Sequence, residues 1–104
     1  MLVYTFDRTL DGLLSAVFDA FSLRQQPEML VGKGEPLPLF CEEVHEVVTS
    51  DDRAGRVWAG LEKRLSRQAV RLLMVSYLSE LPELDTPLFH YICKGHSSSL
   101  LIPP

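Results

Sequence analysis

Three stretches of this chain carry apolar side chains at the three-and-four spacing that a helix gathers on one side, and the need to bury those sides together leaves few architectures open. In the first stretch Leu10, Leu13, Leu14, Val17, Phe18 and Phe21 recur at that spacing, with Asp11, Ser15, Asp19 and Ser22 as the polar positions between them. In the second, Ala54, Val57, Trp58, Leu61 and Leu65 form the apolar side. In the third, Val70, Leu72, Leu73, Met74, Val75, Tyr77, Leu78 and Leu81 are apolar nearly all round, which predicts a helix at the centre of the body.

Each stretch has start and stop chemistry. Thr9 is placed to cap the first helix, Asp11 suits its positive end, and Gln25-Gln26-Pro27 reads as its stop. Ser50 followed by Asp51 and Asp52 is an N-terminal signature for the second, and Ser66 restarts the pattern for the third. Gly60 inside the second helix costs about 1 kcal/mol relative to alanine, which suggests a close approach by another element. Pro82 ends the third helix or opens the next segment, and Leu84, Leu88, Phe89, Tyr91 and Ile92, with Pro87 near the start, give a fourth apolar face.

Two short segments read as strands: Leu2 to Phe6, with β-branched and aromatic content, and Glu43 to Thr49, with Val44, Val47 and Val48. Two strands alone are marginal, so helices must cover them. Glu28 to Leu39 contains Gly32, Gly34, Pro36 and Pro38 and reads as a surface loop, after which Pro38-Leu39-Phe40 is expected to tuck inward as an apolar plug. The expected fold is α+β and mainly helical, with about four helices on a two-stranded sheet, in a single domain over residues 1–94 and an irregular tail over 95–104. At 104 residues the chain has room for one modest core.

The opening Met1-Leu2-Val3-Tyr4-Thr5-Phe6-Asp7 lacks the basic and long apolar regions of an export signal, so a cytoplasmic location is expected. Cys41 and Cys93 cannot build a disulfide framework and are expected to be two buried thiols. The net charge of −4 speaks against binding nucleic acid through overall electrostatics, but the charge is uneven. From Arg53 to Arg71 six bases (Arg53, Arg56, Lys63, Arg64, Arg67, Arg71) meet one acid, Glu62, a local balance of +5 that leaves −9 elsewhere. The plain reading is a solvated helix face with Glu62, Asp51 and Asp52 as counter-charges. The other reading is a phosphate-facing stripe, in which each contact adds about −0.9 to the slope of log affinity against log salt.

Several smaller constellations fall short of a site. Cys93-Lys94-Gly95-His96 offers two soft ligands where a closed zinc site needs about four. His45 could pair with a carboxylate, yet no nucleophile motif accompanies it, and a surface or core-edge histidine is expected. Glu42, Glu43 and Glu46 read as solvated charge. Gly32-Lys33-Gly34 lacks the rest of a phosphate loop. Neither a cofactor nor a self-sufficient catalytic site is expected.

Tyr4-Thr5-Phe6-Asp7, then Asp11-Gly12-Leu13-Leu14 and Ala16-Val17-Phe18, begin a longer correspondence. Leu37-Pro38-Leu39-Phe40 follows, then Val48-Thr49 with Ala54, Arg56-Val57 and Gly60-Leu61, then Leu78-Ser79-Glu80 with Pro82. In that order, over residues 2 to about 92, the chain resembles the front part of a bacterial family of DNA-metabolism or DNA-repair proteins. The resemblance implies longer relatives, some joined to a uracil-DNA-glycosylase-like domain and many working with a radical-SAM partner protein. Asp7, Asp11 and Arg56 match family positions, but the glycosylase-like motifs do not occur and no catalytic residue is carried over. After Ile92 a Ser-rich, Pro-ending tail stands where a basic helical region would continue, so the end reads as frayed or truncated. The functional expectation is therefore an accessory module that docks a partner protein and touches DNA backbone. Its rival is a structural fragment whose exposed helix faces drive homodimerisation.

Overall fold

The computed structural model describes residues 1–78 and 81–97. The chain runs β1 (Leu2–Phe6), α1 (Leu10–Ser22), β2 (Met29–Gly32), β3 (Glu43–Glu46), α2 (Asp51–Arg64), α3 (Arg67–Leu78), a 3₁₀ turn (Pro82–Leu84) and α4 (Asp85–Ser97). The mainly helical α+β class and its four helices are as the periodicity demands. The sheet has three strands rather than two, in the order β2-β1-β3, and both pairings are parallel. The extra strand lies inside the segment expected to be a loop. Its Leu30 and Val31 are buried beside β1, so pairing across the α1 crossover outweighs the neighbouring proline and glycines.

β1 is the central strand and is apolar on both faces, as a covered parallel strand must be, with Val3, Tyr4 and Phe6 buried. By alternation Tyr4, Phe6, Leu30, His45 and Val47 face one way. α1 and α4 pack against the sheet on that side, and α2 packs on both of those helices. Tyr4 stands 4.7 Å from the His45 ring and 6.3 Å from that of Phe89 on α4. Val3, Thr5 and Val31 face the other way. Because β1 lies between β2 and β3, residues 33–42 must cross one face of it, and the right-handed rule for parallel crossovers puts them on the face opposite α1. A Lys33 to Glu46 ion pair at 3.4 Å joins the ends of the two outer strands.

The helix ends follow local chemistry. Thr9 Oγ1 accepts from the Gly12 N–H at 2.9 Å, Ser50 Oγ from the Arg53 N–H at 3.3 Å, and Ser66 Oγ from the Ala69 N–H at 3.1 Å. α1 stops at Ser22 with Arg24 in the left-handed region (φ 54). The Gln25 N–H then donates to the Ala20 carbonyl at 2.9 Å and the Arg24 N–H to that of Phe21 at 3.2 Å, so the helix ends in a Schellman motif before Pro27 is reached.

Three expectations are corrected by the packing. α3 is peripheral, with Leu73 its one buried residue, because α1 and α4 already cover the sheet and α3 is left at their margin. Leu39 and Phe40 point outward, 96% and 81% exposed, because the turn closed by the Cys41 N–H on the Pro38 carbonyl holds them at the amino end of β3. Cys41 and Cys93 are each only partly buried. α4 also continues through Ser97, three residues into the stretch expected to be irregular. α3 is described as far as Leu78, and Pro82, expected to end it or open the next segment, opens the 3₁₀ turn. Residues 79–80 and the tail over 98–104 lie outside the described residues. Gly60 is half-buried on α2.

Candidate functional site

Open parallel sheets bind ligands outside the carboxyl ends of their strands, where neighbouring connections leave for opposite faces. Here the strand order reverses at β1, and the chain's own side chains fill the carboxyl end of the sheet on both sides of that strand. Arg8, in the left-handed region at φ 64, lies across it with Nη1 3.2 Å from Glu35 and Nη2 3.1 Å from Asp85 at the start of α4. Glu35 also accepts the Gly32 N–H at 2.7 Å. A Cβ on Gly32 would sit 2.4 Å from the Glu35 carboxylate and 2.6 Å from Arg8 Cδ. Gly34 supplies the positive φ (83) of the turn that brings Glu35 back. The Gly32-Lys33-Gly34 run is thus a turn around an internal carboxylate, and the amide a phosphate would need is already donated to Glu35.

On the other side of β1, Asp7 is held as tightly. Its Oδ1 accepts from the Thr9 N–H at 3.0 Å and the Thr9 hydroxyl at 2.6 Å, and Oδ2 accepts from the Thr49 hydroxyl at 2.6 Å. Burial pushes the Asp7 carboxyl up, but the hydrogen bonds from Thr49 and Thr9 and the charge of Lys33 outweigh it and leave it below its usual value. Asp85 moves the other way, raised by burial against the pull of Arg8. The Tyr77 hydroxyl donates to the Arg8 carbonyl and ties α3 to this end of the sheet.

The polar positions of α1 expected between its apolar ones are not all solvated. Ser15 and Asp19 are buried, one turn apart, against α2. Ser15 Oγ accepts the Ser50 N–H at 3.0 Å and donates to the Ser50 carbonyl at 3.3 Å. Asp19 meets His45 Nε2 at 2.9 Å and Arg53 Nη1 at 3.2 Å, one oxygen to each. His45 is thus a core-edge histidine on a carboxylate. The Arg53 guanidinium also lies 5.7 Å over the Phe18 ring.

That clamp divides the six bases singled out by charge. Arg53 is engaged by Asp19, and Arg56 by Asp52 one helical turn back at 3.3 Å. Lys63, Arg64, Arg67 and Arg71 are exposed, and among the described residues none of the four has an ion-pair partner. Lys63 and Arg64 complement the negative end of α2. Arg67 has no such justification: it occupies the positive end of α3, and with Arg71 it makes a like-charge pair four residues apart, an arrangement that costs about 0.2–0.5 kcal/mol in an isolated helix.

The same outer face of α3 continues through Leu72, Val75 and Leu78, which are 67%, 60% and 68% exposed. Next to it runs a groove of about 290 Å³ between α3 and α4, lined by Ala69, Leu72, Leu73, Ser76, Leu88 and Tyr91. An exposed apolar strip that begins in uncompensated positive charge is the surface sequence reasoning missed. Its signal was present in the all-round apolar pattern of residues 70–78, which could mean a buried helix or a helix with a second face to cover.

Elsewhere the chemistry is quiet. Cys93 borders a cavity of about 440 Å³ between the end of α1 and α4, and burial pushes its thiol up to about 12, the opposite of an activated nucleophile. The His96 side chain proposed beside it lies outside what the structure describes. Among the described residues no group of three or more His, Cys, Asp or Glu side chains could hold a metal ion. No helix among them is long and apolar enough to cross a membrane. No family model, curated protein or solved structure matches the chain.

Proposed function

We propose that this chain is a non-catalytic accessory module of a DNA-metabolism or DNA-repair system. It docks a partner protein through the outer face of α3 and the α3–α4 groove, and Lys63, Arg64, Arg67 and Arg71 meet DNA backbone beside that contact. The observation that carries the reading is the continuity of one helix face, from Arg67 and Arg71 into Leu72, Val75 and Leu78. Apolar side chains there have more to gain from a partner than from water, and bases with no ion-pair partner among the described residues can be neutralised by phosphates. The likeness to the DNA-metabolism family supplies the class of system, with a radical-SAM or glycosylase-like protein as the kind of partner that likeness implies. The self-filled carboxyl end of the sheet fits a non-catalytic role.

The test is binding of a 20-base-pair duplex, followed by fluorescence anisotropy over a salt series. Four phosphate contacts give a slope of log affinity against log salt of about −3.6. Reversing Lys63, Arg64, Arg67 and Arg71 to glutamate should abolish binding without changing the fold. No detectable binding at low salt would remove the DNA half of the proposal. Light scattering at high concentration separates docking from self-association: a dimer broken by Leu72→Ser with Val75→Ser would assign the apolar face to a second copy instead.

A further inference from the structure

The sheet has two edges, and among the described residues the chain closes only one of them. The outward N–H of β2, at Leu30, donates to Thr86 Oγ1 of α4 at 3.1 Å. On β3 the Val47 N–H donates to the Thr5 carbonyl at 2.8 Å. The alternation of a parallel ladder therefore turns the backbone groups of Glu43, His45 and Val47 toward β1 and points the N–H and C=O of Val44 and Glu46 away from it. Among the described residues those outward groups of Val44 and Glu46 have no hydrogen-bond partner, and both residues are exposed.

Apolar side chains stand uncovered beside this edge. Leu39 and Phe40 project from the turn that leads into β3, and Val44 and Val48 are exposed along the strand and just past it. A free edge is commonly guarded by lysine, proline or a bulge, whereas here the strand's own charges are carboxylates: Glu43, with no ion-pair partner among the described residues, Glu46, 3.4 Å from Lys33, and just before them Glu42, 3.4 Å from the Met1 amine, both pairs exposed and weak. Their sign decides between occupants. Two copies paired edge to edge would bring Glu43 and the two partly compensated carboxylates of one strand against the same three of the other, and like charges across a strand pair are destabilising. An extended segment bearing lysine or arginine meets them favourably while its apolar side chains reach Phe40, Val44 and Val48.

We propose that β3 is a strand-addition site for an extended segment of a partner protein in which basic and apolar residues alternate. The site is separate from the α3 face and stands or falls independently of it. The experiment uses the whole chain, ¹⁵N-labelled, titrated with a synthetic octapeptide of alternating lysine and valine. Saturable shifts of the Val44 and Glu46 amides are expected. Binding should weaken at least tenfold for the glutamate–valine peptide and for a lysine–valine peptide N-methylated at alternate amides. Glu43→Lys with Glu46→Lys should invert the charge preference, and Phe40→Ser should weaken binding at least threefold with an unchanged melting temperature. The proposal is overturned if those amides do not move at millimolar peptide, or if shifts cluster elsewhere. Equal affinity for both peptides would overturn it as well. Concentration-dependent shifts of the same amides in the chain alone would overturn it in favour of a second copy.

Discussion

Replacing Asp19 with alanine removes a carboxylate that joins α1, α2 and β3. In the folded chain its side chain is 9% exposed and takes one contact from His45 at 2.9 Å and one from Arg53 at 3.2 Å. A hydrogen bond to a charged group contributes about 1.5–3 kcal/mol net when buried. Both partners are partly solvated, 32% exposed for His45 and 45% for Arg53, so water recovers much of each contact and about half of that range is appropriate. Two contacts then amount to about 2 kcal/mol, reduced by a few tenths because alanine is the better helix former. For a domain of this size that is a fall in Tm of roughly 8–16 °C. Urea unfolding followed by circular dichroism should show the midpoint lowered at constant slope. Arg53→Ala should cost about 1 kcal/mol, and the double variant should show a coupling of about 1 kcal/mol. A loss below about 0.5 kcal/mol for Asp19→Ala, or strict additivity with Arg53→Ala, would refute the clamp and return Arg53 to the free bases.

A methyl group on Gly12 would lie 2.1 Å from Asp7 Oδ1 and 3.1 Å from Thr9 Oγ1. Gly12→Ala should therefore lower stability by about 1 kcal/mol in chemical denaturation, the damage to the cap exceeding the helix-propensity gain. Because the Asp7 carboxyl is lowered in the folded chain, its contribution is complete above its unfolded value of 3.8 and is lost as pH falls through the folded value. Asp85 is raised and carries the opposite sign, its contribution present below 3.8 and lost as pH rises through the folded value. Asp7→Asn should accordingly flatten the loss of stability below about pH 4 in thermal scans, whereas Asp85→Asn should remove a gain in stability on acidification that lies above 3.8, between that value and the raised folded one. Leu72→Ser with Val75→Ser should leave Tm nearly unchanged, whereas Leu61→Ala, at a fully buried position, should cost about 2–5 kcal/mol by the same denaturation assay.

Local chemistry was readable along the chain and relations between distant segments were not. Thr9, Ser50 and Ser66 could be named as caps because a cap needs only a hydroxyl and the amide three residues on. Met29–Gly32 was hidden because its reason for being a strand is β1, on the far side of α1. The same distance hid Asp19: a polar residue within an apolar period reads as solvated until His45 and Arg53 are brought to it. α3 shows the limit of periodicity, since Leu72, Val75 and Leu78 announce apolarity without saying which neighbour covers them. The charge count from Arg53 to Arg71 located the basic region, but only the fold separates Arg53 and Arg56, each with a carboxylate partner, from the other four.

That separation is tested most directly by comparing the salt dependence of duplex DNA binding for two paired neutralisations, Arg67→Gln with Arg71→Gln and Arg53→Gln with Arg56→Gln. Each pair removes the same formal charge. If the free bases make the contact, the first pair reduces the magnitude of the slope by about 1.8 and the second leaves it unchanged. Equal reductions by both pairs, or a larger one for Arg53 with Arg56, would contradict it.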